Sequence, residues 1–209
     1  ATYVAYLFAG GESTAATARS IDFDGTDDNL EIESSTDLAF GTGDFTIEFW
    51  VKPRTMSYTL FFDMRPNPAA TQGMYPVIYF ENSALRFFSN NSDKITGNAL
   101  QLNQWQHIAL SRSGTSTKMF VNGTQVGSTY SDSDDYLNGD TTIGSRSDGT
   151  TGELDGFMSN LRVVKGTAVY TESFRPPTKP LTNITNTKLL CCNNSSTTGS
   201  TVTPGTITA

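Results

Sequence analysis

Apolar and polar positions alternate with a period of two over much of the chain, most plainly in Phe45–Pro53. Phe45, Ile47, Phe49 and Val51 fall on one face, and Thr46, Glu48 and Trp50 on the other. Aromatic and β-branched residues dominate this run, Gly41 and Gly43 precede it, and Pro53 ends it by withholding an N–H from the ladder. The pattern predicts a core strand. Residues 105–112 and 118–121 predict two more strands around Ser113-Gly114, and Asn122-Gly123 predicts a type I′ hairpin into residues 124–127. Ile21 and Phe23, then Leu30 and Ile32, mark two half-buried strands that turn through Asp24-Gly25 and return. Residues 58–62 form another strand, residues 77–80 and 85–88 a hairpin, and residues 187–190 the closing strand. Polar stretches at 63–76, 89–98, 130–140 and 145–152 predict loops. Residues 153–165 alternate imperfectly, with Asp155-Gly156 as a bend or bulge. Such strands bury their apolar faces by packing as two antiparallel sheets, an all-β sandwich.

The phrase Gly43-Asp44-Phe45-Thr46-Ile47-Glu48-Phe49-Trp50-Val51 is followed by Trp105-Gln106-His107-Ile108-Ala109-Leu110-Ser111-Arg112. After these come Val121-Asn122-Gly123, Thr142-Ile143-Gly144 and Leu154-Asp155-Gly156-Phe157-Met158-Ser159-Asn160-Leu161-Arg162-Val163. In this order the motifs resemble the concanavalin A-like, laminin-G-type jelly rolls, with coverage from about residue 20 to residue 190. The resemblance implies a two-sheet antiparallel jelly-roll sandwich of the lectin/glucanase kind. A narrower likeness lies in Tyr3-Val4-Ala5-Tyr6-Leu7-Phe8-Ala9-Gly10-Gly11, Tyr170-Thr171-Glu172-Ser173-Phe174-Arg175-Pro176-Pro177 and Thr187-Lys188-Leu189-Leu190-Cys191-Cys192. These resemble the version of the domain in structural and tail proteins of marine phages. That implies a non-catalytic module of a virion or extracellular surface appendage, a tail fibre for instance, which binds host-surface glycan and assembles with other virion chains as a homo-oligomer. The alternative from another class is an assembly or decoration module of a virion or filament that binds no sugar. A glycan hydrolase is the minor third.

By domain, residues 1–19 are an N-terminal strand and linker, 20–192 the jelly roll, and 193–209 a Ser/Thr/Gly-rich linker or tail. Tyr3, Val4, Tyr6, Leu7 and Phe8 put apolar side chains on both faces of a strand, which is expected to pack on a neighbouring chain or domain as an assembly element. The chain opens without a basic n-region, so no signal peptide is expected, and without an initiating Met, as a processed product or a piece of a longer protein would. A net charge of −7 and the lack of a basic stripe argue against nucleic acid as a partner. No apolar run approaches the ~20 residues of a membrane span. The two cysteines, Cys191 and Cys192, are neighbours. Strand alternation points them to opposite faces, as two reduced thiols.

The residues offer little for catalysis. Glucanases of the superfamily carry Glu-x-Asp-x-x-Glu on one strand, whereas the corresponding strand here has Glu48 alone, between Thr46 and Trp50. Glu31 and Glu33 share a face, but exposed strand carboxylates are ordinary. The one histidine, His107, reads as a residue of the core edge rather than a base. No nucleophile elbow or phosphate loop is present. The resemblance nominates calcium at a sandwich edge, with Asp24 and Asp155 as ligands and loop carbonyls completing the shell; as turn residues, both acids have an ordinary role as well. For a sugar, which pairs an aromatic platform with planar hydrogen-bonding groups, the loop candidates are Arg65, Asn67, Tyr75, Asn90, Tyr130, Asp132, Tyr136, Arg146 and Asp148.

Overall fold

A computed structural model describes residues 19–70 and 72–209. Tyr3, Val4, Tyr6, Leu7 and Phe8 lie outside the described residues. The chain order is β1 (Ile21–Asp24), β2 (Leu30–Ile32), a 3-10 turn (Thr36–Leu38), β3 (Phe45–Pro53), β4 (Thr59–Asp63), β5 (Val77–Glu81), β6 (Ala84–Ser89), β7 (Ser92–Thr96) and β8 (Gln106–Ser113). It continues with β9 (Ser116–Val121), β10 (Thr124–Ser131), β11 (Thr141–Ile143), β12 (Asp155–Lys165), β13 (Thr187–Cys191), β14 (Ser200–Val202) and β15 (Ile207–Thr208). Two antiparallel sheets result. One runs β10-β9-β8-β3-β12-β13-β14, with β1 also on β12; the other runs β15-β2-β11-β4-β5-β6-β7. The expected all-β sandwich is the fold, and its core is a single apolar layer that takes Phe45, Ile47, Phe49 and Val51 from the first sheet and Phe62, Ile78, Phe80 and Phe87 from the second.

The hairpins follow local chemistry. Asn122 and Gly123 have φ of 50° and 75°, the pair of positive values a type I′ turn needs, and Asn82-Ser83 repeats this at 50° and 61°. Asn90-Asn91 does so again at 44° and 59°, joining β6 to β7. Strand β7 was therefore missed in a stretch read as loop, because Ile95 is its one core residue and the alternation is too sparse to register.

Three further expectations are corrected. Strands β1 and β2 do not return on each other: β1 pairs with β12 in one sheet and β2 with β11 in the other, so Asp24–Asn29 is a crossing between sheets. Residues 193–209 are not a free tail. They lay β14 on β13 and β15 on β2, and Ile207 enters the core at 6 % exposure. Cys191 and Cys192 do not point to opposite faces. Cys192 has φ of +56°, which breaks the alternation and turns both thiols into the core, free, with sulfurs 3.7 Å apart. The Cys192 contact and burial hold the Cys191 thiol above its ordinary pKa. Among the described residues no helix is long and apolar enough to cross a membrane.

The imperfect alternation of β12 has a definite cause. Its register against β3 slips between Ser159 and Arg162, where Asn160 has φ of +51°, so the bulge lies there and not at Asp155-Gly156. Met158 points into the core before the slip, and Leu161 and Val163 after it. The extra residue moves Arg162 to the outer face, opposite Glu48.

Candidate functional site

Each sheet has an outer face, and the two faces have different fates. On the first sheet, Thr46, Glu48, His107 and Arg162 are buried, and Trp50 is 8 % exposed. The cover is the segment after β12, residues 166–182. The Val169 N–H donates to Thr46 Oγ1 at 2.8 Å, the Phe174 N–H to the Gly123 carbonyl at 2.8 Å, and the Leu181 N–H to Asn160 Oδ1 at 2.8 Å. A Cβ on Gly123 would stand 1.8 Å from the Phe174 carbonyl oxygen, so only glycine lets the strap pass at this height. Tyr170 and Phe174 stack with centroids 3.6 Å apart, and Phe174 meets His107 and Phe120 edge-on at 5.7 and 5.4 Å.

Under this strap Glu48 accepts hydrogen bonds from Arg162 Nε (2.9 Å) and Nη2 (2.5 Å) at one oxygen, and from the Tyr170 hydroxyl (2.8 Å) at the other. His107 Nε2 also stands 3.0 Å from that second oxygen, and an ionised carboxylate can only accept, so the proton sits on Nε2. Burial by itself would raise the Glu48 carboxyl. The His107 bond and the Arg162 charge outweigh it and hold the group below the usual carboxylate range. Both burial and Glu48 push the Tyr170 phenol up. With its oxygens occupied and a strap above it, Glu48 is a structural anchor.

The outer face of the second sheet carries an aromatic pocket. Leu60, Val77 and Tyr79 form an apolar cluster there, separate from the main core, with Tyr58 and Phe88 half-buried against it. Tyr79 meets Tyr58 and Phe88 edge-on, at 5.9 and 6.5 Å between centroids. Tyr58, Val77, Tyr79 and Phe88 line a cavity of about 200 Å³ with Arg65 and Arg146. The sheet order brings these together: β11 lies beside β4, β4 beside β5 and β5 beside β6, so the loops after β4 and β11 deliver Arg65 and Arg146 to one spot.

Arg65 is nearly buried and fixed by Asp63, which accepts from Arg65 Nε at 2.9 Å and Nη2 at 2.6 Å, from the Arg65 backbone N–H and from the Ser147 N–H. Its guanidinium carbon is 5.8 Å from the Phe88 ring centroid. Arg146 Nε stands 3.3 Å from Asp148 Oδ2 but lacks hydrogen-bond geometry, so this pair is held by charge alone.

Of the nine sugar candidates, Arg65 and Arg146 meet at this pocket, with Asp148 alongside Arg146. Asp148 accepts from the Thr150 N–H and hydroxyl, capping its own loop. Tyr130, Asp132 and Tyr136 form a separate knot. Asp132 is buried and accepts from the Thr117 and Tyr136 hydroxyls, and Tyr136 is 1 % exposed in the core. These two are corrected to structural residues, since neither can meet a ligand. The Tyr130 hydroxyl donates to Asp134. Asn67 is exposed, and Tyr75 and Asn90 gather around Gly73, whose N–H donates to Asn90 Oδ1. Tyr58, Tyr79 and Phe88 were missed. Part of the signal was present: residues 77–80 are apolar on both faces, and Phe88 puts an aromatic ring on the same strand face as Arg86, which a sheet with one solvated face does not require.

Asp24 and Asp155 are register partners, yet Asp155 is not free to hold a metal. Arg54 Nη1 donates to it at 2.8 Å and the Thr55 hydroxyl at 3.0 Å, and Arg54 pairs with Asp22 as well. The charge partner of Asp155 among the described residues is thus the Arg54 guanidinium. Asp24 gathers instead with Asp27 and Asp28 in one exposed turn, their carboxylate oxygens within 4.8 Å of one another. Within that turn Asp24 accepts from the Thr26 N–H and Asp28 from the Asp24 N–H. Glu31 and Glu33 line a polar groove of about 580 Å³ with Asp140, Thr206 and Thr208, one wall of which is the C-terminal segment.

Among solved structures, the fold is similar to a candidate carbohydrate-binding protein from Bacteroides ovatus (14% identity, 94% of this chain and 60% of that one, TM-score 0.68). It is also similar to the heptameric SAP-like pentraxin of Limulus polyphemus (20% identity, 76% and 81%, TM-score 0.55) and to domains LG4-5 of the mouse laminin α1 chain (13%, 76% and 45%, TM-score 0.51). The chain thus spans 60% of the Bacteroides protein and 45% of the laminin fragment. No curated protein matches it in sequence. The sequence profile of the concanavalin A-like lectin/glucanases superfamily, in its laminin G form, matches residues 24–171, through β3, β8 and β12 to the strap, and the chain belongs to that superfamily.

Proposed function

We propose that this domain is a non-catalytic carbohydrate-binding module and that the pocket of Tyr58, Tyr79, Phe88, Arg65 and Arg146 is its sugar site. The observation that carries this reading is the contrast between the two outer faces. One is closed by a strap that spends its polar groups on the sheet, while the other keeps aromatic rings and two guanidinium groups around a solvent-facing cavity. Sugars stack their C–H faces on aromatic rings and hydrogen-bond through planar side chains, and a ~200 Å³ cavity has room for a ring or two rather than a peptide helix. The candidate carbohydrate-binding protein of similar fold supports the same class. A glycan array on the full chain tests it. Phe88→Ala should abolish the signal while the chain stays folded by circular dichroism; binding that survives Phe88→Ala and Tyr58→Ala places the site elsewhere.

The wider setting proposed is the surface of a virion, as part of a tail fibre, with host-surface glycan as the target and copies of the same chain as partners. The motif likeness at residues 3–11 and 170–177 supports it. Electron microscopy of particles labelled with antibody to the domain would test that placement. A module that assembles without sugar is the second reading, motivated by the apolar Tyr3, Val4, Tyr6, Leu7 and Phe8. Sedimentation of the chain with and without residues 1–11 separates it, since assembly through that stretch requires a loss of mass on deletion. Calcium is proposed as an accessory ion, with Asp24, Asp27 and Asp28 as the residues that would hold it and water supplying the remaining oxygens. It would tie down the crossing from β1 to β2.

A further inference from the structure

The donors and acceptors around the aromatic pocket are unequally matched. Asp63 takes four donors, Arg65 N, Nε and Nη2 and the Ser147 N–H, which leaves no lone pair turned to the cavity. Asp93 accepts from the Tyr79 hydroxyl at 2.8 Å and from Arg86. Asp148 accepts from Thr150 twice and faces Arg146. The carboxylates near the pocket are therefore committed to fixed protein donors.

The guanidinium groups are committed only in part. Arg65 gives its Nε and Nη2 to Asp63 and lies beside the Tyr58 hydroxyl, so Nη1 is the one guanidinium nitrogen not engaged by a carboxylate among the described residues. Arg146 Nε is buried without a hydrogen-bond partner among the described residues, although its side chain is 31 % exposed. Asp63 holds Arg65 rigid from behind, so little side-chain entropy remains to be lost when a ligand binds it. The cavity thus presents donors on an aromatic wall and few acceptors. A neutral sugar hydroxyl both donates and accepts, and its protons would go unmatched here. An acidic group only accepts, and two guanidinium groups suit it in number and shape.

We infer that the pocket selects an acidic sugar, a ring bearing a carboxylate or a sulfate, with the anion on Arg65 and Arg146 and the ring face on Tyr58 and Phe88. This rests on the sugar site proposed above. The net charge of −7 sharpens the inference: the long-range field repels polyanions, so recognition is of a single acidic residue at a glycan end or branch.

The test is binding of the full chain to immobilised glycans in four matched forms: neutral, carboxylated, carboxyl-reduced and sulfated. Carboxylated or sulfated forms should bind about tenfold or more tighter than the reduced and neutral ones, the factor expected of one charge-assisted contact. The stronger of the two acidic arms identifies the anion. Arg146→Gln should erase the preference with the melting temperature unchanged, whereas Lys179→Gln, on the exposed strap, should leave it intact. Equal binding of acidic and reduced forms overturns the inference and leaves the sugar site standing. An acidic preference that survives Arg146→Gln also overturns it, because the anion then sits elsewhere. Silence on all four forms overturns both readings.

Discussion

Glu48 shows how one side chain takes its role from its surroundings. On the first sheet it has the position where a glucanase would display a catalytic acid, yet here it is closed in by Arg162, His107 and Tyr170. Its folded pKa is depressed, so its contribution to stability is present above the unfolded value of about 4.3 and is lost as the pH falls through the lower folded value. Glu48→Gln should therefore flatten the acid limb of a stability–pH curve below about pH 4, measured by urea unfolding at stepped pH; an unchanged limb would mean the carboxylate is not what acid attacks. The contrast between a core face and an outer face is as sharp. Phe49 is fully buried and Glu31 exposed. Phe49→Ala should cost about 3–5 kcal/mol and Glu31→Ala less than about 0.5 kcal/mol, read from urea midpoints at equal slope.

At the scale of elements, the informative pieces are those with little local signal. Strand β7 has Ile95 as its one core residue, and β14 and β15 lie in a stretch of Ser, Thr and Gly that composition alone assigns to a tail. They form because an edge is waiting for them: β2 and β13 offer unpaired backbone groups, and residues 193–209 satisfy both. Deleting residues 199–209 should accordingly lower stability by about 2 kcal/mol or more, the usual loss for a buried isoleucine, and a thermal melt would register it. A true tail would leave the melt unmoved. Hairpins were legible beforehand because Asn-Gly at 122–123 carries its turn in its own φ preferences. The β12 bulge was legible only as a fault in alternation. Its place at Asn160 required the partner strand.

For the whole molecule, the two sheets divide the work: one is closed and braced, the other open. The Asp24–Asp28 turn lies where the chain crosses between them. If calcium is held there, chelator should lower the melting temperature, and Asp24→Asn should remove that difference, because a ligand stabilises in proportion to the logarithm of its excess over its dissociation constant. A melt indifferent to chelator and to added calcium removes the ion from the account. Asp155→Asn should instead act without calcium, through the lost Arg54 contact.

What the sequence by itself determined is the sandwich: period-two alternation is written into neighbouring residues, and a strand with one apolar face has to bury it. It also carried two members of the pocket, Arg65 and Arg146, as loop residues of the right chemistry. Their meeting, 81 positions apart in the chain, depends on β11 lying beside β4, a pairing no local pattern encodes. The tertiary structure alone decided which outer face would be covered. The strap of residues 166–182 closes the one built from β3, β8 and β12, and the one built from β4, β5 and β6 keeps its rings open. The physical reason is that a strand fixes its own two faces, but what covers each face is set by segments far away in sequence.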